Sequence, residues 1–456
     1  MHVGSVSVFE GEIPFETLVR SISSRLELLP RYRQKIVFAP FNLSHPGWED
    51  DPNFDIKQHI HQVTLSNLGS DEDLRRLAAQ LFTGMMDREK PLWEVFLVNG
   101  LQRQRSALIC RVHHCMVDGV SGVELMKLIL DYTADPPPIA DPKPFTPPQT
   151  LDAAHRFIEA VHDGFQESID RWQEIQKTLL SLTNPENKNA AGEFDAEWLK
   201  VMGSPAVPLP FNKPCTGERS FGWMECRFSD ARAIRSKLGG TVNDVVLAIL
   251  TGAVGRYLEH HALPTQGRVF RPMVPVSLRR DEQQAALGKS VSLLPMEIPL
   301  DISDPVERLQ FITAKTKTLK ESRVAERLSQ FTTLVATTPV PLQAYLGATT
   351  VAHVSQFNIV CTNIPGPQIP LFALGKRMLT YYPFVPIASS MGASCAVTSY
   401  DQKLFFGLSA DSHALPDVDR MIEFLNQSFI ELKQSAGVVS GEQPIVPEIT
   451  FRQKSA

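Results

Sequence analysis

Residues 106–119 read SALICRVHHCMVDG, an apolar run that closes on two histidines and passes through a short loop to an Asp-Gly pair. Ser106 to Val112 has the composition of a strand, and Gly119 to Tyr132 carries apolar residues at helical spacing. The order is therefore strand, loop, helix, which places His113 and His114 where a strand ends. There His114 can offer one ring nitrogen to a substrate hydroxyl as a general base. Asp118 is close enough to buttress the loop, and Gly119 permits a tight backbone turn. The same residues also suit a buried histidine pair beside a helix capped by Asp118. Both readings stand on these residues alone. Adjacent side chains on a strand point to opposite faces, so His113 and His114 are not expected to share a metal ion.

Upstream, Leu92 to Val98 reads as a strand returning through the turn-like Asn99-Gly100 into Ser106. Asp71 to Met86 sets Leu74, Leu77, Ala78, Leu81 and Phe82 on one helical face. His2 to Phe9 alternates as a strand, and Pro14 to Leu29 has helical spacing closed by Pro30. Downstream, ADPPPIADPKPFTPP at 134–148 is too proline-rich for a helix or central strand and ends a first domain. A helical stretch from Asp152 to Leu182 and a polar segment from Asn184 to Pro214 follow. Strands are expected at Phe221 to Phe228, Val269 to Leu278, Asn358 to Thr362, Ala393 to Ser399 and Leu404 to Ala410, with an apolar helix at Thr241 to Leu258. The division is 1–148, a crossover at 149–219, and 220–456, both domains being α/β.

A chain of 456 residues with 43% hydrophobic content is long enough for two such cores. Its formal net charge of -5 argues against nucleic acid as a partner. The apolar runs are well short of the roughly 20 residues that span a bilayer, and no signal-peptide pattern opens at Met1. The six cysteines form no CxxC pair, which suits a reducing, cytoplasmic setting, and no zinc-ligand spacing occurs among them. Serine-hydrolase chemistry lacks its GxSxG, and Gly288-Lys289-Ser290 is no phosphate loop because Gln283 stands where its first glycine belongs. His260-His261 reads as an ordinary pair at a helix end.

The motif at 113–119 resembles the HHxxxDG of acyl-CoA-dependent acyltransferases, and its neighbours narrow the likeness. Asp87 to Glu94 (DREKPLWE) is similar to the DRxxPLWE of the bacterial wax ester synthase/diacylglycerol acyltransferase family. Asn243-Asp244 resembles that family's ND motif, Asn363 to Pro367 its NxPGP, Met1 to Gly4 its MHVG, and Arg271 to Ser277 its PVSxR stretch. These segments follow the family's order over residues 1 to about 410. The family usually has a segment of the type LSxxDxxFL before MHVG, whereas this sequence starts at MHVG.

The resemblance implies a two-domain, chloramphenicol-acetyltransferase-like α/β fold with an active-site channel at the domain interface. It implies a long-chain acyl transfer from acyl-CoA to diacylglycerol or a long-chain fatty alcohol, with His114 as the base, His113 auxiliary, Asp118 supporting the loop and Gly119 in its turn. Asn243 and Asp244 would face the channel, and Asn243 also suits a helix N-cap. Arg279 and Arg280 could meet coenzyme A phosphates or be solvated charge. No cofactor or metal is expected beyond acyl-CoA as co-substrate. The protein is expected in the cytoplasm, docked peripherally on the inner membrane or on lipid droplets. A condensation-domain-like acyl transferase and a catalytically silent lipid binder are the alternatives.

Overall fold

The computed structural model describes residues 1–38, 45–116, 126, 128–141, 206–277, 291–321, 357–387 and 390–439. Its first sheet grows around the opening strand β1 (His2–Glu10), which is buried along most of its length. After α1 (Phe15–Arg25) and a small ribbon of β2 (Gln34–Val37) with β3 (Gly47–Asp50), the chain forms β4 (Ile60–Gly69), α2 (Asp71–Thr83), β5 (Trp93–Leu101) and β6 (Arg105–His113). Ser70 caps α2 through a capping box with Asp73, which satisfies amides that the helix itself cannot bond. The crossover through α2 makes β4 and β5 parallel, and β6 then runs antiparallel between β5 and β1. Leu74, Ala78 and Phe82 bury one face of α2, in the spacing read from the sequence.

The second half begins with β7 (Arg219–Arg227), α3 (Phe228–Leu238) and α4 (Val242–His260), followed by β8 (Val269–Phe270), β9 (Pro272–Ser277), β10 (Val291–Pro295), β11 (Ile298–Pro299) and α5 (Pro305–Glu321). It continues with β12 (Ile359–Pro365), β13 (Phe372–Ala373), β14 (Lys376–Phe384), β15 (Ala393–Tyr400), β16 (Lys403–Asp411) and α6 (Val418–Ser435). The second sheet has the order β10-β9-β12-β15-β16-β7. Its core includes α4, whose apolar residues are buried from Val245 through Leu258 on nearly every side, as a helix without a polar face requires. Among the described residues no single helix is long and apolar enough to cross a membrane; α3 and α4 pass that test only jointly, as a pair bent by 98°.

The first sheet has the order β13-β14-β1-β6-β5-β4. Residues 372–384 thus complete a sheet otherwise built from the first 113 residues, and the expected boundaries at 148 and 220 do not describe it. Long-range pairing of β14 with β1, Gly4 opposite Phe384, is the cause. The two sheets meet where Phe82 of α2 stacks on Phe384 with ring centroids 3.7 Å apart, and both rings contact Phe221 of β7.

Local expectations were also corrected. Asn99-Gly100 is not the turn: both stay in β5, and the chain reverses at Gln102–Gln104. Gly100 has φ +81°, and a Cβ there would lie 2.5 Å from the Leu65 carbonyl oxygen, so glycine serves close approach to β4. The strand expected at Val269 to Leu278 is broken at Arg271, whose backbone N–H and C=O pair instead with Asn358. Most of the helix expected from Gly119 to Tyr132 lies outside the described residues. Met126, Leu128 and Ile129 are helical, but Asp131 has left the helix to bridge Phe372. The stretch from Asp152 to Leu182 lies wholly outside the described residues.

Candidate active site

The last residue of β6 is His113, paired in register with His2 of β1 and bonded through its amide to the Leu92 carbonyl at 2.9 Å. A hydrogen bond of 2.9 Å from the Met116 amide to the His113 carbonyl then closes a turn. His114 and Cys115 occupy its central positions and are exposed, while Met116 is buried. The His114 amide donates to the Met1 carbonyl at 2.9 Å, tying the turn to β1. The backbone of His114 is thereby held from both sides while its imidazole faces outward. This is the arrangement a positioned proton acceptor needs.

His113 has a different role. Its Nδ1 accepts from the Cys115 amide at 3.3 Å and lies 2.9 Å from the Cys115 thiol, while its Nε2 is 3.5 Å from the chain's amino terminus. Burial, reinforced by the positive charges of the chain's amino terminus and Arg88, pushes its pKa down to about 4. His2, buried against it edge-on at 6.2 Å, is pushed to about 4 by burial first and then by the same amino terminus and Arg111. Both rings are neutral near pH 7. His113 shapes the turn that presents His114. Burial likewise raises the Cys115 thiol, which keeps it protonated.

This turn lies beside the seam between the two sheets. The His2 ring is 3.4 Å from the Phe82 carbonyl oxygen, and Phe82 is the residue whose ring joins Phe221 and Phe384 across the seam. The end of α2 is fixed by Arg111, three residues before His114. Arg111 donates to the carbonyls of Leu81 and Gly84 and forms a close ion pair with Glu94, its cross-strand partner, through Nε at 2.6 Å. Burial alone would raise the Glu94 carboxyl, but hydrogen bonding from His61 and the Arg111 charge hold it below its usual range. The terminal Glu of PLWE therefore anchors the strand that carries the histidines. Trp93 beside it is fully buried, donates to the Tyr32 carbonyl at 2.7 Å and stacks on His59, so it packs the core.

Other expectations shift. Asp118 and Gly119 lie outside the described residues, as do Arg279, Arg280 and the Gly288-Lys289-Ser290 run. Asp244 does not turn to a substrate: its Oδ2 accepts from the Thr241 amide at 2.7 Å and hydroxyl at 2.8 Å, and its Oδ1 from Thr316 of α5 at 2.9 Å. Thr241, not Asn243, is the N-cap of α4, and Asp244 completes its capping box. Asn243 is half-buried in that first turn. At NxPGP, glycine is explained by contact: a Cβ on Gly366 would lie 2.3 Å from the Ser399 carbonyl oxygen where β12 runs parallel to β15. His2, Cys115 and the Glu94–Arg111 pair were missed as parts of the site. The signal for the last was charge of opposite sign in two neighbouring strands.

Residues 1–246 match the family model for the wax ester synthase/diacylglycerol acyltransferase catalytic domain, and residues 287–433 match that for the WS/DGAT C-terminal domain. Among curated proteins, the chain is 29% identical over 455 residues to the probable diacylglycerol O-acyltransferase tgs2 of Mycobacterium tuberculosis, covering 96% of each. It is 27% identical over 437 residues to tgs1 of the same organism, a probable enzyme of the same name, covering 94% of this chain and 90% of that protein. Among solved structures, the wax ester synthase/diacylglycerol acyltransferase from Marinobacter aquaeolei VT8 is similar with a TM-score of 0.64 at 24% identity, covering 96% of this chain and 95% of that one. The first condensation domain of the CDA synthetase shares the fold at a TM-score of 0.53 and 12% identity, covering 95% of this chain and 91% of that one.

Proposed function

The chain belongs to the wax ester synthase/diacylglycerol acyltransferase family and is an acyltransferase, and from that premise we propose that it moves a long-chain acyl group from acyl-CoA to diacylglycerol or a long-chain fatty alcohol with His114 as general base. The observation that carries this reading is the β6 turn, which exposes the His114 imidazole while pinning its backbone. His114 takes the hydroxyl proton as the alcohol oxygen attacks the thioester carbon. The oxyanion of the tetrahedral intermediate calls for hydrogen-bond donors at the acyl carbon. Its collapse expels the coenzyme A thiolate, which takes the proton back from the imidazolium. A thioester is already activated, so this route needs no cofactor, metal or covalent enzyme intermediate. Asp118 keeps the role implied by family likeness, holding the loop.

Both acceptor classes reside in membranes or lipid droplets. The reading therefore includes peripheral docking on the cytoplasmic face of the inner membrane or on droplets. The test is to follow coenzyme A release and ester formation from labelled palmitoyl-CoA, offering dioleoylglycerol and hexadecanol separately. Direct transfer predicts stoichiometric release and ester, with no burst of release when the acceptor is omitted. A burst without acceptor would indicate a covalent intermediate, and no ester from either alcohol would refute the substrate assignment. Flotation with anionic phospholipid vesicles checks docking.

A further inference from the structure

Helices α4 and α6 bring three metal-ligating side chains together outside the His114 turn. His260 is the last residue of α4, His261 is its C-cap, and Asp417 is the N-cap of α6. One ring nitrogen from each histidine and one carboxylate oxygen of Asp417 all lie within 4.8 Å of one another. An aspartate at an N-cap ordinarily accepts from the first-turn amides of its own helix. Asp417 makes no such side-chain bond. Its Oδ1 accepts instead from the hydroxyl of Tyr257 at 2.7 Å, and its Oδ2 from Nε2 of His261 at 3.2 Å. The carboxylate is thus turned off its own helix and held toward the end of α4 by a buried tyrosine.

We propose that His260, His261 and Asp417 bind one divalent transition-metal ion, with Zn2+ the best fit and water in the remaining position. Two imidazoles and one carboxylate are a donor set that Zn2+ accepts. Ligand atoms at 2.0–2.1 Å from a tetrahedral ion stand about 3.3 Å apart, close to the 3.2 Å already separating His261 from Asp417. His260 is exposed, so rotation of its ring brings the third nitrogen in. Tyr257 orients the carboxylate as outer partners of metal ligands usually do. The ion would clamp the end of α4 to the start of α6 and, by binding only the folded chain, raise its stability. It shares no element with the β6 turn, so acyl transfer does not run through it.

The experiment is calorimetric titration of the EDTA-stripped, full-length protein with Zn2+, paired with thermal melts with and without the ion. The wild type is expected to bind one ion per chain at this site and to melt higher when loaded. Asp417→Asn, which keeps a hydrogen-bond acceptor at the N-cap, and the surface double variant His260→Ala/His261→Ala should weaken binding by more than the roughly 10–100-fold that loss of an outer partner costs. Both should retain wild-type acyl transfer. Zn2+ affinity and melting shift unchanged in both variants would place any binding elsewhere and overturn the assignment. So would the absence of binding and of a melting shift in the wild type, which would leave the cluster an ordinary His–Asp ion pair.

Discussion

At the end of β6 the backbone separates two neighbouring histidines: His113 is half-buried against Cys115 and His2, while His114 is exposed on a turn. At the end of α4 the neighbouring pair stays together at the surface, the rings of His260 and His261 having centroids 5.2 Å apart beside Asp417. The dipeptide is the same. His114 already lies in the turn that closes β6, whereas His261 is the cap that directly follows the last residue of α4, so one backbone divides the pair and the other leaves it together. Divided, one ring anchors and the other is free to accept a proton. Converged, both can face one cation. Side-chain identity supplies the chemistry, and secondary structure decides how many partners it is offered.

The largest effect expected from this contrast is on turnover. Replacing His114 with Ala should lower kcat by about 10²–10⁴-fold, the range for loss of a positioned base, and leave the melting temperature near wild type because the side chain is exposed. His113→Ala should do the reverse, costing less turnover and more stability; equal loss of turnover in both would erase the division of roles. Next is the support beneath the pair. Arg111→Met leaves Glu94 with His61 as its remaining partner and strips the donor from the Leu81 and Gly84 carbonyls. Urea denaturation should show a loss of roughly 3 kcal/mol, the low end of the range for breaking a buried pair from one side, because Glu94 keeps His61 and some contact with solvent.

A smaller effect is expected at the start of α4. Thr241→Ala removes the capping hydroxyl and should lower stability by about 1 kcal/mol with the Michaelis constants unchanged. A shift in the constant for acyl-CoA would return Asp244 or Asn243 to the substrate site. The gentlest test is acidification. His2 and His113 have folded pKa values of about 4 against an ordinary 6.5. Between those values the unfolded chain binds more protons than the folded one, so stability rises with pH across that window and falls as pH drops from 6.5 to 4. A His2→Asn/His113→Asn double variant should show a flatter profile there by thermal melting.

Local structure is legible in the sequence. β6, β15 and β16 announce themselves by apolar runs, and α4 by apolar length with Thr241 ahead of it. The strand end at His113 follows from the same run. What escaped was nonlocal. Lys376–Phe384 has polar and aromatic residues without clean alternation, and only its pairing with β1 makes it part of the first sheet. Asn99-Gly100 has strong turn chemistry, but closeness to Leu65 on β4 overrode it. The amphipathic α6 was missed although Met421, Leu425, Phe429 and Leu432 mark its buried face. The family motifs point to His114, yet Glu94 and Asp244 hold the structure around them in place, a distinction that depends on partners far along the chain.

The central claim is that the exposed histidine on the β6 turn is the base of an acyl transfer. It is tested most directly by ester formation from labelled palmitoyl-CoA and an alcohol acceptor, using purified wild type beside His114→Ala at matched folded concentration. The account predicts ester from the wild type and a collapse of product in the variant, with the two proteins melting alike. Equal ester formation by both would contradict it, because the acyl group would then be transferred without the residue that the fold so carefully presents.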